Sequence, residues 1–489
     1  CYINSYSLRG IMRKKVYVSV YDYTGLTDYL QVLNEKFNYD IFSSGSTLEY
    51  LNKNGLNAED ISELGIADGF YARTFLEDFI RKNFDMVIIN FRPVDDIAEK
   101  TDDIKAFIEA VNLLDFSILR AAAKVFENTT VVTEKSEFYN TINVNSYDKQ
   151  KLSLKAFQYL SDYDEAIAEK IAVYSGEDER KLLNLTKLYE LKYGSNPYQR
   201  AALYKSENMA DYRVLNEKEL SYNDILNLNT ALKLISEFYD VNAAAIVKHN
   251  LPCGVALGRS LFDAYTKAFD CDPFATFSGT IAFSQSVNFE VAKQLSSMSV
   301  KVVAAPYYED DALKHLMQNS DLKIVRIYTE LKNFKKLITE EIISTPLGTL
   351  VQEPNKSELD KDLFKVVTKT KPTAEQLEDA IFAWKVVKYA RTNAVVVAKD
   401  FKTTAISQGH TNNVAAIENA MDIACENSKD AVLATDEAII TGECINAAAQ
   451  GRISLIIQPG GSIRDKEVIA AADKLGIAMV VTGIRNLSF

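Results

Sequence analysis

Short apolar runs alternate with amphipathic stretches along most of this chain. Residues 15–20, Lys-Val-Tyr-Val-Ser-Val, combine β-branched and aromatic side chains and predict a strand. Residues 21–26 then lead into an amphipathic helix that runs to about Lys36. The scheme repeats at 39–53: a strand, the small-residue loop Ser-Ser-Gly-Ser-Thr, and a helix over 48–53. Residues 84–91 and 128–135 read as a third and a fourth strand, and 153–174 as a helix. Strands alternating with helices imply a parallel sheet covered on both faces. The polar stretch Tyr-Ser-Gly-Glu-Asp-Glu-Arg-Lys at 174–181 breaks this pattern and puts the main domain boundary between about 175 and 188. Beyond it, strands are predicted at 244–247, 279–283, 301–305, 394–398, 431–434, 454–458 and 477–481, with helices between them such as 374–390. The fold class is α/β throughout. The charged region 325–372 is the expected divide between two C-terminal subdomains, and no short-period repeat stands out.

Composition narrows the class. With 489 residues, 47% hydrophobic and 25% charged, the chain is an ordinary globular one with room for several domains. No apolar run reaches the roughly 18 residues that span a bilayer, and the start shows no basic region followed by an apolar signal core. Five scattered cysteines form no Cys-x-x-Cys pair, so neither a disulfide framework nor a zinc site is expected. These features predict a cytoplasmic protein without membrane partners or a transition metal. A net charge of −12 argues against nucleic-acid binding, yet a pocket can still carry a local positive field for a small anion.

Four stretches could carry chemistry. In Ala-Ile-Val-Lys-His-Asn-Leu-Pro-Cys-Gly (245–254), an apolar strand delivers Lys248 and His249 side by side, in a chain with 3 histidines. Adjacent strand residues face opposite ways, so both can reach one pocket only where the strand ends. Leu251-Pro252 is expected to lead out of the sheet, and Gly254 to permit close backbone approach. Such a pair suits proton transfer; a surface pair at a strand end is the plain alternative. The loop Ser43, Ser44, Gly45, Ser46, Thr47 opens a helix and could cradle an anion, or simply cap that helix. Gln-Pro-Gly-Gly-Ser (458–462) is a ligand loop or a βα turn. Asn393, just before an apolar strand, could orient a carbonyl or merely form a turn.

Taken together, these stretches resemble one family, the bifunctional purine-biosynthesis enzyme AICAR transformylase/IMP cyclohydrolase. The collinear blocks are Leu-Lys-Tyr-Gly-Ser-Asn-Pro-Tyr-Gln from 191, Leu-Ser-Tyr-Asn-Asp-Ile from 220, Ile-Val-Lys-His-Asn-Leu-Pro-Cys-Gly from 246, Cys-Asp-Pro-Phe-Ala-Thr-Phe-Ser-Gly-Thr from 271, residues 382–400, and residues 456–485. The resemblance implies an N-terminal methylglyoxal-synthase-like parallel α/β domain over 1–180. A transformylase-like region over 188–489 would follow, built of two zinc-free cytidine-deaminase-like α/β units and working as an intertwined homodimer with its sites at the interface. It implies nucleotide and folate as small-molecule partners, 10-formyltetrahydrofolate as cosubstrate, and leaves room for a monovalent cation. By the same resemblance Lys248, His249 and Asn393 are catalytic. Lys192, Tyr193, Gly194, Ser278, Gly279 and Arg485 hold substrate, with Lys192 in place of the usual Arg. Ser19, Ser43, Ser44, Gly45, Ser46, Thr47, Arg73, Thr74 and Lys124 are phosphate-binding candidates of the N-terminal domain.

The departures from the family pattern are as informative. Ala438, Ile439, Ile440 and Thr441 replace its Phe-Phe-Pro-Phe, Asn413 stands at a folate-contacting Arg, and Lys301 occupies an acidic position. In the N-terminal domain Tyr21 and Tyr23 replace Ser and Lys, Arg92 replaces Tyr, and Asn112 replaces the Asp of Asp-Ile-Gly-Gly. IMP cyclohydrolase attacks a formyl carbon with a carboxamide nitrogen and expels water. Losing those groups removes most of what would polarise the formyl oxygen and move protons, so weak or absent cyclohydrolase activity is expected. Two alternatives to an AICAR transformylase stay open: a paralogue moving formyl to or from another amine, and a non-catalytic nucleotide-binding or regulatory protein.

Overall fold

The structure is a computed structural model that describes residues 13–64, 73–141, 144–176, 185–206, 208–359 and 364–489. The chain forms two compact units, Cys1–Asn184 and Leu185–Phe489.

Unit 1 is built on five parallel strands: β1 (Lys14–Ser19), β2 (Tyr39–Ser43), β3 (Ala58–Asp60), β4 (Met86–Ile89) and β5 (Thr130–Val132). Their order is β3-β2-β1-β4-β5. Val16, Tyr17 and Val18 are all buried, and so are all four residues of β4. Consecutive burial, rather than alternation, marks strands covered on both faces. Helices α1 (Leu26–Phe37), α2 (Gly45–Lys53), α3 (Arg73–Asn83), α4 (Leu113–Lys124) and the 30-residue α5 (Ser146–Ser175) surround the sheet. The three-residue edge strand β3 was not legible in the sequence, because so short a segment shows no periodicity.

Unit 2 opens with a two-stranded hairpin, β6 (Thr186–Leu191) and β7 (Ala201–Lys205). Its body is one twelve-stranded sheet made of two halves with the same chain order. The first half runs from β8 (Tyr212–Val214) through helix α6 (Tyr222–Ile235) to the hairpin β9 (Ala243–Lys248)/β10 (Leu251–Leu257), and then to β11 (Thr280–Phe283), β12 (Val302–Ala305) and β13 (Lys323–Ile327). An exposed hairpin, β14 (Glu341–Thr345)/β15 (Gly348–Gln352), follows. The second half repeats the series: β16 (Lys365–Val366), helix α7 (Ala374–Val387), hairpin β17 (Val395–Lys399)/β18 (Lys402–Ser407), then β19 (Val432–Thr435), β20 (Leu455–Gln458) and β21 (Ala478–Val481). The halves join antiparallel at β10 and β18, where Ala256 faces Lys402. One continuous apolar layer spans both halves beneath α6 and α7 and includes the buried Trp384. The opposite face is covered by separate layers, one per half.

The expectation that Leu251-Pro252 leaves the sheet was wrong. Leu251 pairs with Lys248 and Pro252 with Val247, both inside β10, and a bulge follows between Pro252 and Gly254. The bulge is what lets a proline, which has no ladder donor, sit in an interior strand.

Candidate active site

Lys248 is the last residue of β9, and His249-Asn250 form the two-residue turn into β10. Both turn residues have positive φ, 56° and 63°, the geometry of the primed turns that match strand twist. The turn is pinned from α6: Asn227 Oδ1 accepts the Asn250 N–H at 2.6 Å, and Thr230 Oγ1 donates to Asn250 Oδ1 at 2.5 Å. His249 is exposed at this corner. The Lys248 ammonium reaches across to the segment that precedes β11 and donates to the Phe277 carbonyl at 2.8 Å. That contact brings it beside Ser278, which has φ 63°, and Gly279, where an added Cβ would lie 3.4 Å from the Val247 carbonyl.

Lys248 and His249 line one cavity of about 430 Å³, with Cys253, Cys271, Asp272, Phe274 and Gln408 among its other walls. Burial pushes the Cys253 thiol up to about 12 and the Cys271 thiol up to about 11, so both stay protonated and neither is a nucleophile at neutral pH. Gln408 ties the cavity to the second half of the sheet. Its Nε2 donates to the Pro252 carbonyl at 2.9 Å and its Oε1 accepts the Arg391 N–H at 3.3 Å. Sequence reasoning missed Gln408 and Asn227, since neither lies in a motif with a chemical signature.

Asn393 does not line this cavity. Its amide donates to the His410 carbonyl at 3.0 Å. The C-terminal segment runs alongside, with Thr392 and Ser488 exchanging hydrogen bonds of 2.9 and 2.8 Å, so Arg485 belongs to the Asn393 locus. Lys192, Tyr193 and Gly194 sit in the β6–β7 loop, where the Gly194 N–H donates to the Gln199 carbonyl at 2.8 Å. Among the described residues, no group of three His, Cys, Asp or Glu is placed to hold a metal ion, and no helix is long and apolar enough to cross a membrane.

A family model described as AICARFT/IMPCHase bienzyme matches residues 122–423. The chain belongs to this family. It is 34% identical to the bifunctional purine biosynthesis protein PurH of Caldicellulosiruptor saccharolyticus, 36% to that of Caldicellulosiruptor bescii and 35% to that of Acetivibrio thermocellus. Each alignment covers 97% of this chain and 99% of the relative. A solved structure titled "Crystal structure of ForH" superposes with a TM-score of 0.27 at 17% identity, over 32% of this chain and 98% of that one, too loosely to bear on the fold.

Within this AICARFT/IMPCHase framework, two of the residues that depart from the family pattern, Asn413 and Lys301, have partners inside the protein. Asn413 is buried and donates to the Ala438 carbonyl at 3.0 Å. Lys301 forms a 3.0 Å ion pair with the buried Asp224.

The unit 1 candidates divide. The Ser43 hydroxyl donates to the Val18 carbonyl at 2.7 Å, and the Thr47 hydroxyl bonds both the N–H and the carbonyl of Val20 at 3.1 Å. Ser43 is therefore spent on β1 and Thr47 on the residue just beyond it. Ser44 Oγ lies 3.0 Å from the Tyr17 hydroxyl, and Ser19 Oγ donates to Asp115 Oδ2 at 2.7 Å. Gly45, with φ 52°, opens α2, and Ser46 is exposed. Lys124 cannot join this cluster. It lies nine residues beyond Asp115 on α4, a rise of about 14 Å at 1.5 Å per residue, and pairs with Glu77 at 2.5 Å. Arg73 and Thr74 begin α3, and their side chains lie outside the described residues.

Proposed function

We propose that the C-terminal unit performs the family's AICAR formyl transfer through Lys248 and His249, and that the N-terminal unit is weak or inactive as an IMP cyclohydrolase. The 5-amino nitrogen of AICAR is a poor nucleophile, because its lone pair is delocalised into the imidazole carboxamide. It attacks the formyl carbon of 10-formyltetrahydrofolate, and His249 takes the proton that the nitrogen sheds. The new C–N bond forms, the bond from the formyl carbon to the folate nitrogen breaks, and that nitrogen receives the proton held by His249 and leaves as tetrahydrofolate. Lys248 stabilises the tetrahedral oxyanion. General acid–base help is worth about 10²–10⁴ in rate, so positioning must supply much of the remainder. The observation that carries this reading is that the ammonium and the imidazole open on one cavity large enough for a small-molecule ligand, at the end of paired strands that hold them rigid.

Lys192, Tyr193, Gly194, Ser278, Gly279 and Arg485 are proposed to hold the nucleotide. Lys192 supplies charge without the planar fork of an Arg. Asn393 and Arg485 lie on the second half of the sheet, away from the cavity lining, which favours a homodimer in which a second copy completes the site. The hairpins present apolar side chains for such a contact: Leu188, Tyr189 and Tyr204 on one, Ile343, Leu347 and Leu350 on the other, all exposed. In this reading the protein is cytoplasmic and its chemistry needs no transition metal, and a monovalent cation is a matter for assay.

The test is to supply AICAR and 10-formyltetrahydrofolate and follow tetrahydrofolate release, then IMP. Formyl-AICAR without IMP is the expected result, and His249→Ala should lower turnover at least about a hundredfold. A loss of only two- or threefold would remove His249 as the base. The coupled pair Asn413 and Ala438 favours a second reading, a different acceptor amine; it gains ground if AICAR is bound but not formylated.

A further inference from the structure

The ligand end of an open parallel sheet is the carboxyl end of its strands. In unit 1 that end is already filled from within. Asp115, in the first turn of α4, is 6% exposed, and its carboxylate accepts from three side chains. Ser19 Oγ donates at 2.7 Å, the Tyr17 hydroxyl at 3.1 Å, and Asn112 Nδ2 at 2.5 Å. Through Tyr17, the same network reaches Ser44, the residue that precedes α2. Thus the hydroxyl of Ser19 is turned to an internal carboxylate, and that of Ser44 to the phenol beside it. The hydroxyls of Ser43 and Thr47 are committed to the backbone of Val18 and Val20, in and just after β1. The neighbouring strand end is closed in the same manner. Tyr21 donates to Asp96 Oδ2 at 2.8 Å, and Arg92 donates to the Asp96 carbonyl at 2.8 Å, its guanidinium 5.9 Å from the Tyr21 ring.

We infer that Asp115 is a specificity-determining residue: its carboxylate takes the donors that a mononucleotide phosphate would need and bars that phosphate from the N-terminal cradle. A dianionic phosphate brought to Ser19 would face a buried like charge at hydrogen-bond distance, in a medium that screens it poorly. Burial raises the Asp115 carboxyl above its ordinary value, against the lowering by its three donors. The carboxyl is thus held by those three donors against the cost of its burial. The inference rests on the reading of unit 1 as a degenerate cyclohydrolase and names the residue that shuts it.

The experiment is hydrogen–deuterium exchange on the full chain, reading peptides that cover β2 and α2, with millimolar inorganic phosphate and separately with IMP. In the wild type neither ligand should slow exchange over 43–48. Asp115→Gly, which removes both charge and bulk, should gain protection there, with apparent phosphate binding at least about tenfold tighter. Asp115→Asn, which keeps the shape and loses the charge, should fall between. Protection in the wild type overturns the inference, as does its absence from whichever variant keeps the wild-type melting temperature. The two readings fail separately. IMP made from formyl-AICAR by wild-type protein would end the degenerate-cyclohydrolase reading, whereas ligand protection at 43–48 without IMP formation would end only the role of Asp115.

Discussion

At the scale of single residues, the duplicated sheet supplies its own control. Asn227 and Asp379 each stand six positions after a capping residue, Ser221 and Thr373, in helices that both begin with a capping box. Each then reaches a hairpin turn. Asn227 holds the Asn250 N–H, while Asp379 accepts from the N–H groups of Asp400 and Phe401 at 2.8 and 2.7 Å. Only the first turn carries His249. Asn227→Ala should therefore act as a positioning change. We expect kcat to fall roughly fivefold or more with KM little altered, the equivalent of about one lost hydrogen bond. Asp379→Ala should lower the melting temperature instead and leave kcat near wild type. Steady-state kinetics beside thermal melts distinguish the two. Glu237 is a half-buried charge held by several partners. Burial opposes its ionisation, but the Lys335 ammonium at 2.8 Å, the Tyr389 hydroxyl at 2.6 Å and the nearby Lys388 outweigh burial and hold the carboxyl below its ordinary value of 4.5. Its contribution is present above that value and is lost as pH falls through the lower folded-state value. Glu237→Gln should cost about 3 kcal/mol at neutral pH. The deficit should shrink in denaturant titrations run below pH 4.5.

Elements show where periodicity succeeds and where it fails. Strands with consecutive buried residues, such as β9, β12 and β17, were visible as apolar runs. β10 and β18 were not. Leu-Pro-Cys-Gly punctuates β10 with two residues that usually end strands, and β18, Lys-Thr-Thr-Ala-Ile-Ser, is too polar to stand out. β10 exists because its register is fixed by β9 on one side and by Thr403 on the other, whose hydroxyl bonds both the N–H and the carbonyl of Val255 at 3.0 and 3.1 Å. Gly254 was read correctly as a site of close approach: an added Cβ would lie 2.0 Å from the Ala268 carbonyl oxygen. Gly254→Ala must push the helix Leu261–Phe269 away from the hairpin that carries Lys248 and His249. We expect a loss of about 3 kcal/mol and a melting temperature lower by roughly 5 °C or more. Transformylase activity should fall with it.

For the whole molecule, the question is what the exposed hairpins contact. β15 is exposed along its full length, and Leu347 at the β14–β15 turn is 100% exposed. If a second copy covers it, Leu347→Glu with Leu350→Glu should shift sedimentation toward monomer. Specific transformylase activity should then drop on dilution, while the melting transition of the isolated subunit stays intact. A fully active monomer would reject the shared site.

The sequence by itself determined the alternation of strands and helices, the Lys248-His249 pair and the family. Each of these is written in local patterns: apolar period, turn residues and short motifs. Tertiary structure alone decided which groups are spent and which are free. Ser43 and Thr47 look identical to phosphate donors in the sequence until β1 is packed against them. The carboxylate at 115 sits 96 positions from Ser19 along the chain, and only the parallel sheet brings it to the strand ends. Contacts of that separation carry no local signature, because they are set by burial and by the scarcity of partners for a charge removed from water.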